Sequence, residues 1–161
     1  MPLRRWGWTH RIEPGLIERK IRACGGSLMM VEVVFAAGGV GALQGAGTAA
    51  HAGAVRLDTA SAIGAATGAD TLTVKNQVSG TGPLTKMGDG VVELSGGNTY
   101  TGGTTVKAGT LVARNAKALG NDAVRVENGA SLLIAGVDLI TGGLTLNGSG
   151  VGGAGALQGV G

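Results

Sequence analysis

A chain of 161 residues with 33 glycines but only two Trp, one Tyr and one Phe is long enough for one domain, yet it cannot pack a core on aromatic bulk. The glycines keep no three-residue period, which excludes collagen, and a single Cys excludes an intrachain disulfide or a metal–thiolate cluster. The net charge of +3 belongs wholly to residues 1–38, which carry six basic and three acidic residues; residues 39–161 carry seven of each and show no basic footprint for nucleic acid.

Residues 1–38 also hold both Trp, the Phe, Cys24 and three of the four Met. Arg4, Arg5, Arg11, Arg19, Lys20 and Arg22 precede a mostly apolar run, Ser27 to Ala37, that ends in small residues. Basic segment, apolar segment and small-residue site are the order of a secretory signal, with Val34 and Ala36 before the cut; Glu32 breaks the apolar run. The same stretch also reads as a short amphipathic helix, Gly15 to Ala23, followed by a strand, or as a start assigned too far upstream. On any of these readings 1–38 is a non-repeat leader and is expected to stay outside the repeats that begin at Gly39. No run reaches the ~18 apolar residues of a membrane-spanning helix.

From Gly39 the chain repeats itself. Gly39–Gly47 reads GVGALQGAG and Gly153–Gly161 reads GAGALQGVG, seven matches in nine at an offset of 114. Inside that unit, strand-like runs begin at Val55, Leu72, Val92, Leu111, Leu132 and Val151, at steps of 17, 20, 19, 21 and 19. A second series begins at Ile63, Leu84, Val106, Val124 and Leu144, at steps of 21, 22, 18 and 20. The runs at 91–95 and 104–107 alternate with a period of two, the signature of a half-buried strand.

Two interleaved series with one step predict an all-β parallel β-helix (solenoid) of about 19–21 residues per coil over 39–161, with at least two strands in each coil. Coils stacked at the strand spacing of ~4.8 Å put equivalent residues in ladders. The expected inward ladders are Val55, Leu72, Val92, Leu111 and Leu132 on one face, and Leu84, Val106, Val124 and Leu144 on the other. Arg56, Thr73 and Glu93 are expected to face water. Tight corners call for Gly, with Asn next, and Asn98, Asn128 and Asn147 lie in or beside Gly-rich turns.

The pattern is clearest at residues 84–113, LTKMGDGVVELSGGNTYTGGTTVKAGTLVA. It resembles the passenger-associated β-strand repeat of bacterial autotransporters (type V secretion). The residues that carry the resemblance are Leu84, Thr85, Lys86, Gly88, Gly90, Leu94, Ser95, Gly96, Asn98, Thr99, Tyr100, Thr101, Gly102, Gly103, Thr104, Val106, Ala108, Gly109, Thr110 and Leu111; Val92 stands where Leu is usual. The resemblance is diffuse over 39–83 and 114–161 and does not reach 1–38. It implies a right-handed β-helix exported through, or anchored by, a C-terminal outer-membrane β-barrel. No run of ten-residue amphipathic barrel strands is present, so the sequence reads as a fragment or truncated reading frame of a longer passenger.

Other chemistry finds little support. Gly148-Ser-Gly-Val-Gly152-Gly153 lacks the βαβ setting and the acidic residue of a dinucleotide fingerprint. His10 and His51 lie in different segments without a second ligand at metal spacing. Asp70 and Asp89, nineteen residues apart, would stack in consecutive coils, either as a carboxylate pair for calcium or acid/base work, or as turn aspartates bonded to their own backbone. The second is the simpler reading, since no third carboxylate or aromatic platform accompanies them. Lys107 and Arg125 read as a solvated face.

The sequence thus points to a structural stalk of an extracellular or surface-displayed passenger, with no catalytic, cofactor-binding or metal-binding residue and no nucleic-acid partner. Its expected partners are the β-barrel outside this chain and a host or neighbouring cell surface. The alternatives are a fragment of a polysaccharide-acting β-helix enzyme and an adhesin surface.

Overall fold

A computed structural model of the chain describes residues 16–20, 31–36 and 42–161. The strands it contains are only three to six residues long, too short to hold alone, so each is stabilised by pairing with a neighbouring strand, on both sides except at the sheet edges and on the third face. A first sheet runs in parallel through Leu43–Gly45, Ser61–Ala65, Leu84–Met87, Thr104–Val106, Ala123–Val126 and Gly143–Leu146. A second runs through Thr48–His51, Thr71–Val74, Val91–Leu94, Gly109–Ala113, Ala130–Ala135 and Leu157–Val160. Val55–Leu57 and Val78–Gly80 pair in parallel on a third face. Beyond them the third face continues as irregular backbone, with Thr99 N–H donating to Val78 O at 2.9 Å and Thr101 N–H to Gly80 O at 3.1 Å.

The result is a parallel β-solenoid of about five turns. Along the first sheet, Leu43, Ile63, Lys86, Val106, Val126 and Leu146 are in register, at steps of 20, 23, 20, 20 and 20 residues. The one long step lies in the corner 66–70. There Asp70 accepts from Thr67 N–H at 2.9 Å and Thr67 Oγ1 at 2.8 Å, and from Gly47 N–H of the turn below at 2.6 Å.

The core is the stack of inward side chains. Leu72, Val92, Leu111 and Leu132 are fully buried and in register on the second sheet, as the spacing predicts. Each such side chain contributes roughly 1.5–3 kcal/mol on burial. Leu84, Val106, Val124 and Val126 are buried from the first sheet, and Leu94 from the same strand as Val92.

Several expected alignments do not hold. Val55 pairs with Val78 on the third face, and the residue stacked on Leu72 is Ala49. Arg56 is exposed but, for the same reason, does not stack on Thr73. Leu84 aligns with Thr104, Val124 and Leu144, whereas Val106 belongs two residues further along, with Lys86 and Val126. Leu144 is 38% exposed, because its strand has a neighbour on one side only. Val151 begins a short 3-10 turn, and the strand stacked on Leu132 starts instead at Leu157. The two ALQG copies are not equivalent: Leu43 lies in the first sheet and Leu157 in the second. A tetrapeptide of alternating small and apolar residues fits either face, so sequence identity there carries no register.

Leu16–Lys20 is a strand, not the helix that its amphipathic pattern allows; it pairs antiparallel with Val31–Ala36. That second strand joins the edge of the first sheet through Val31↔Gly45 and Glu32↔Gln44, contrary to the expectation that the leader stays apart. An isolated turn or two of helix does not repay its nucleation, while a β-branched run beside an open edge supplies ladder bonds. Arg4, Arg5, Arg11, Arg22, Cys24 and the start of the apolar run at Ser27 lie outside the described residues. Among the described residues no helix is long and apolar enough to cross a membrane.

Candidate functional site

The residues singled out at 84–113 span one strand of each sheet, the third face, and the same two sheets one turn on. Leu84, Leu94, Val106 and Leu111 point into the core; Thr110 is half-buried and Thr99 exposed. Strand alternation puts Lys86 on the same side as Leu84, and the consequence is that Lys86 has no exposed surface. Its Nζ donates to the main-chain carbonyls of Met87 at 3.1 Å, Gly88 at 2.6 Å and Ala108 at 2.8 Å. Three donors meet three acceptors, so the buried ammonium is fully satisfied. Burial pushes its pKa down to about 8, against the pull of the Asp89 carboxylate, so it stays charged at neutral pH.

Those carbonyls converge because the corners are glycine. Gly88 and Gly109 both have positive φ, 76° and 63°. A Cβ on Gly109 would lie 2.5 Å from the carbonyl oxygens of Gly88 and Gly90, inside contact distance. Gly90, Gly96 and Gly102 press against the backbone of the turn below, and Gly103 closes the corner before Thr104.

Asn98 does on the third face what a strand does elsewhere. Fully buried, it accepts from Val78 N–H of the turn below at 2.7 Å and donates from Nδ2 to Ala118 O of the turn above at 2.5 Å. Its own N–H donates to Lys117 O at 3.0 Å. Tyr100 is buried beside it, and its hydroxyl lies 2.5 Å from Thr104 Oγ1. Thr104 in turn donates to Leu119 O at 3.1 Å, which leaves Tyr100 as the donor of the pair. Desolvation holds the phenol above its ordinary pKa, with the Thr104 bond opposing. In the sequence Lys86, Asn98 and Tyr100 stand out only as pattern positions; parity along the strand is the available signal for Lys86, and none exists for Asn98.

Asp70 and Asp89 do not form a stacked pair. Val91 is opposite Thr71, which puts Asp70 level with Gly90. Both Asp70 oxygens accept from backbone or hydroxyl donors, chiefly Thr67 N–H, and its pKa is held below the usual carboxylate range. Outward charges pair locally: Arg114 with Glu93 at 2.8 Å, Arg125 with Glu127 at 2.7 Å and Arg56 with Asp58 at 2.6 Å. Arg125 stacks on Thr105 rather than on Lys107. Among the described residues no three His, Cys, Asp or Glu side chains gather as a metal site.

The family model described as Passenger-associated-transport-repeat matches residues 84–113. The chain is 40% identical over 105 residues to a protein of Brucella suis biovar 1 (strain 1330), "Adhesin BmaC autotransporter"; the match covers 57% of this chain and 3% of that protein. The chain therefore corresponds to a small part of that relative's length. No solved structure matches the chain.

Proposed function

We propose that this chain, which carries an autotransporter passenger repeat at residues 84–113, is a structural stalk segment of a secreted or surface-displayed passenger, helping export and carrying a functional region away from the cell without catalysis of its own. The supporting observation is where the signature side chains go. Lys86 and Asn98 spend their polar groups on backbone of adjacent turns, Thr104 donates to the Leu119 carbonyl, and the Tyr100 hydroxyl is spent on Thr104 rather than on solvent. Residues used this way fix the stacking of a rod and leave little to bind with. Three of the carboxylates are engaged too: Asp70 with backbone, Glu93 and Glu127 with arginines. An outer-membrane β-barrel outside this chain would anchor it.

A second reading, an adhesive surface, is favoured by the name of the Brucella relative. Against it, Tyr100, the one aromatic residue of 39–161, is buried. Display on a bacterium separates the two. The full chain, carrying a tag in the exposed 58–60 turn, is placed between a signal peptide and an outer-membrane barrel. A stalk reaches the surface of intact cells and confers no attachment to host cells or neighbouring bacteria. Attachment conferred by this chain alone would establish the adhesive reading, and wild-type chain trapped in the periplasm would overturn both.

A further inference from the structure

Two Asn-Gly pairs stand at the same corner of successive turns, Asn128-Gly129 and Asn147-Gly148, and the structure treats them differently. Asn147 is half-buried, and its Nδ2 donates to Val126 O at 3.0 Å. Asn128 is exposed, as is Gly129, and its amide makes no hydrogen bond among the described residues. It lies against Gly148 of the next turn, where any side chain would collide with it. The turn is closed by Ala130 N–H donating to Glu127 O at 3.1 Å, and the intervening Gly129 N–H donates to no backbone carbonyl among the described residues. Two further asparagines are held by hydrogen bonds and are poorer substrates for the same chemistry. Asn98 is buried with both amide atoms engaged, and Asn76 accepts from Gln77 N–H at 2.8 Å.

From this contrast we propose that Asn128 is a site of spontaneous deamidation and isoaspartate formation, built into the corner between Ala123–Val126 and Ala130–Ala135. Asparagine is thermolabile, and a following glycine offers no Cβ to hinder its own nitrogen. The Gly129 main-chain nitrogen attacks Asn128 Cγ and gives up its proton; the Cγ–Nδ2 bond breaks and ammonia leaves with that proton. The five-membered succinimide that results is opened by water at either carbonyl, giving Asp or isoaspartate, with no change of oxidation state. Isoaspartate inserts one extra main-chain atom at the corner. It also adds a carboxylate beside Glu127, which already pairs with Arg125 at 2.7 Å.

The test is to age the purified full chain at 37 °C and pH 8.5 and to map +1 Da gains and isoaspartate by peptide mass analysis, in native buffer and in urea. In the native chain Asn128 should convert faster than Asn147 by about fivefold, the rate equivalent of one net hydrogen bond. In urea the two Asn-Gly pairs should converge. Asn128→Ser, which has no side-chain carbonyl to form the imide, should lose the faster component and leave conversion at Asn147 unchanged. Equal native rates at 128 and 147, or a native ratio unchanged in urea, would overturn the proposal.

Discussion

Lys86 and Ala108 are joined across one turn of the solenoid by a 2.8 Å hydrogen bond from a buried ammonium to a main-chain carbonyl. The same ammonium holds the Met87 and Gly88 carbonyls, so it fastens a glycine corner to the corner above. Lys86→Met keeps the apolar stem and strands those three acceptors, each a desolvated group without its donor. Chemical denaturation at pH 7 should show a loss of about 2–4 kcal/mol.

Stability should also depend on pH through this residue. Its pKa is about 8 in the folded chain against 10.5 for an ordinary lysine, so between those values the unfolded state binds more protons. Stability then rises with pH across that window, by up to about 3 kcal/mol. Above pH 10 the unfolded chain gains by ionising Tyr100, which stays neutral when folded, so the rise should flatten there. Melting temperature measured from pH 7 to 10 should climb in the wild type and stay flat in Lys86→Met.

Asn98→Ala removes one side chain but orphans two buried backbone groups, Val78 N–H and Ala118 O. Denaturant unfolding should show a loss of about 2–6 kcal/mol, because each of the two unsatisfied buried groups costs about 1–3 kcal/mol. Asn98→Asp should do worse, since a carboxylate oxygen would face the Ala118 carbonyl. Tyr100→Phe should cost about 1 kcal/mol, a single neutral hydrogen bond.

Asp70 contributes to the acid limb, as does Glu127, whose carboxylate the bond from Arg125 also holds below its ordinary range. The folded pKa of Asp70 is depressed by bonds from Thr67 and Gly47, so the stability it contributes is complete above the ordinary carboxylate range and lost as pH falls through the folded value. Acid titration of the melting temperature should show a smaller fall in Asp70→Asn than in the wild type, from a lower starting value at pH 7.

How much of this was legible in the sequence depends on the kind of residue. Leu72, Val92, Leu111 and Leu132 were readable because each stands in a short apolar run and their spacing stays at 19–21 residues, although only the strands of Leu72 and Val92 alternate strictly. Val55 was misassigned because the solenoid has three faces rather than two, and an apolar strand start looks the same on any of them. The second series slipped by two residues at Val106, since in a period-two pattern such a slip keeps every side chain on its face. Lys86 was hidden by its type: a lysine in an inward position reads as surface until its three carbonyls are seen. Asn98 was hidden by topology, because its partners are 20 residues away in either direction. The leader's strand pairing could not be read either, as its basic, apolar and glycine-poor residues serve several local structures.

The central structural claim is that adjacent residues at the end of one strand face opposite ways, Val106 in the core and Lys107, just past the strand, in water. The most direct measurement is thermal and denaturant unfolding of Val106→Asp beside Lys107→Asp. The buried position should lose several kcal/mol, about the cost of an unpaired charge in the core, or fail to fold. The exposed one should change by less than about 1 kcal/mol. Equal losses at the two positions would contradict the solenoid's register and the placement of every inward ladder built on it.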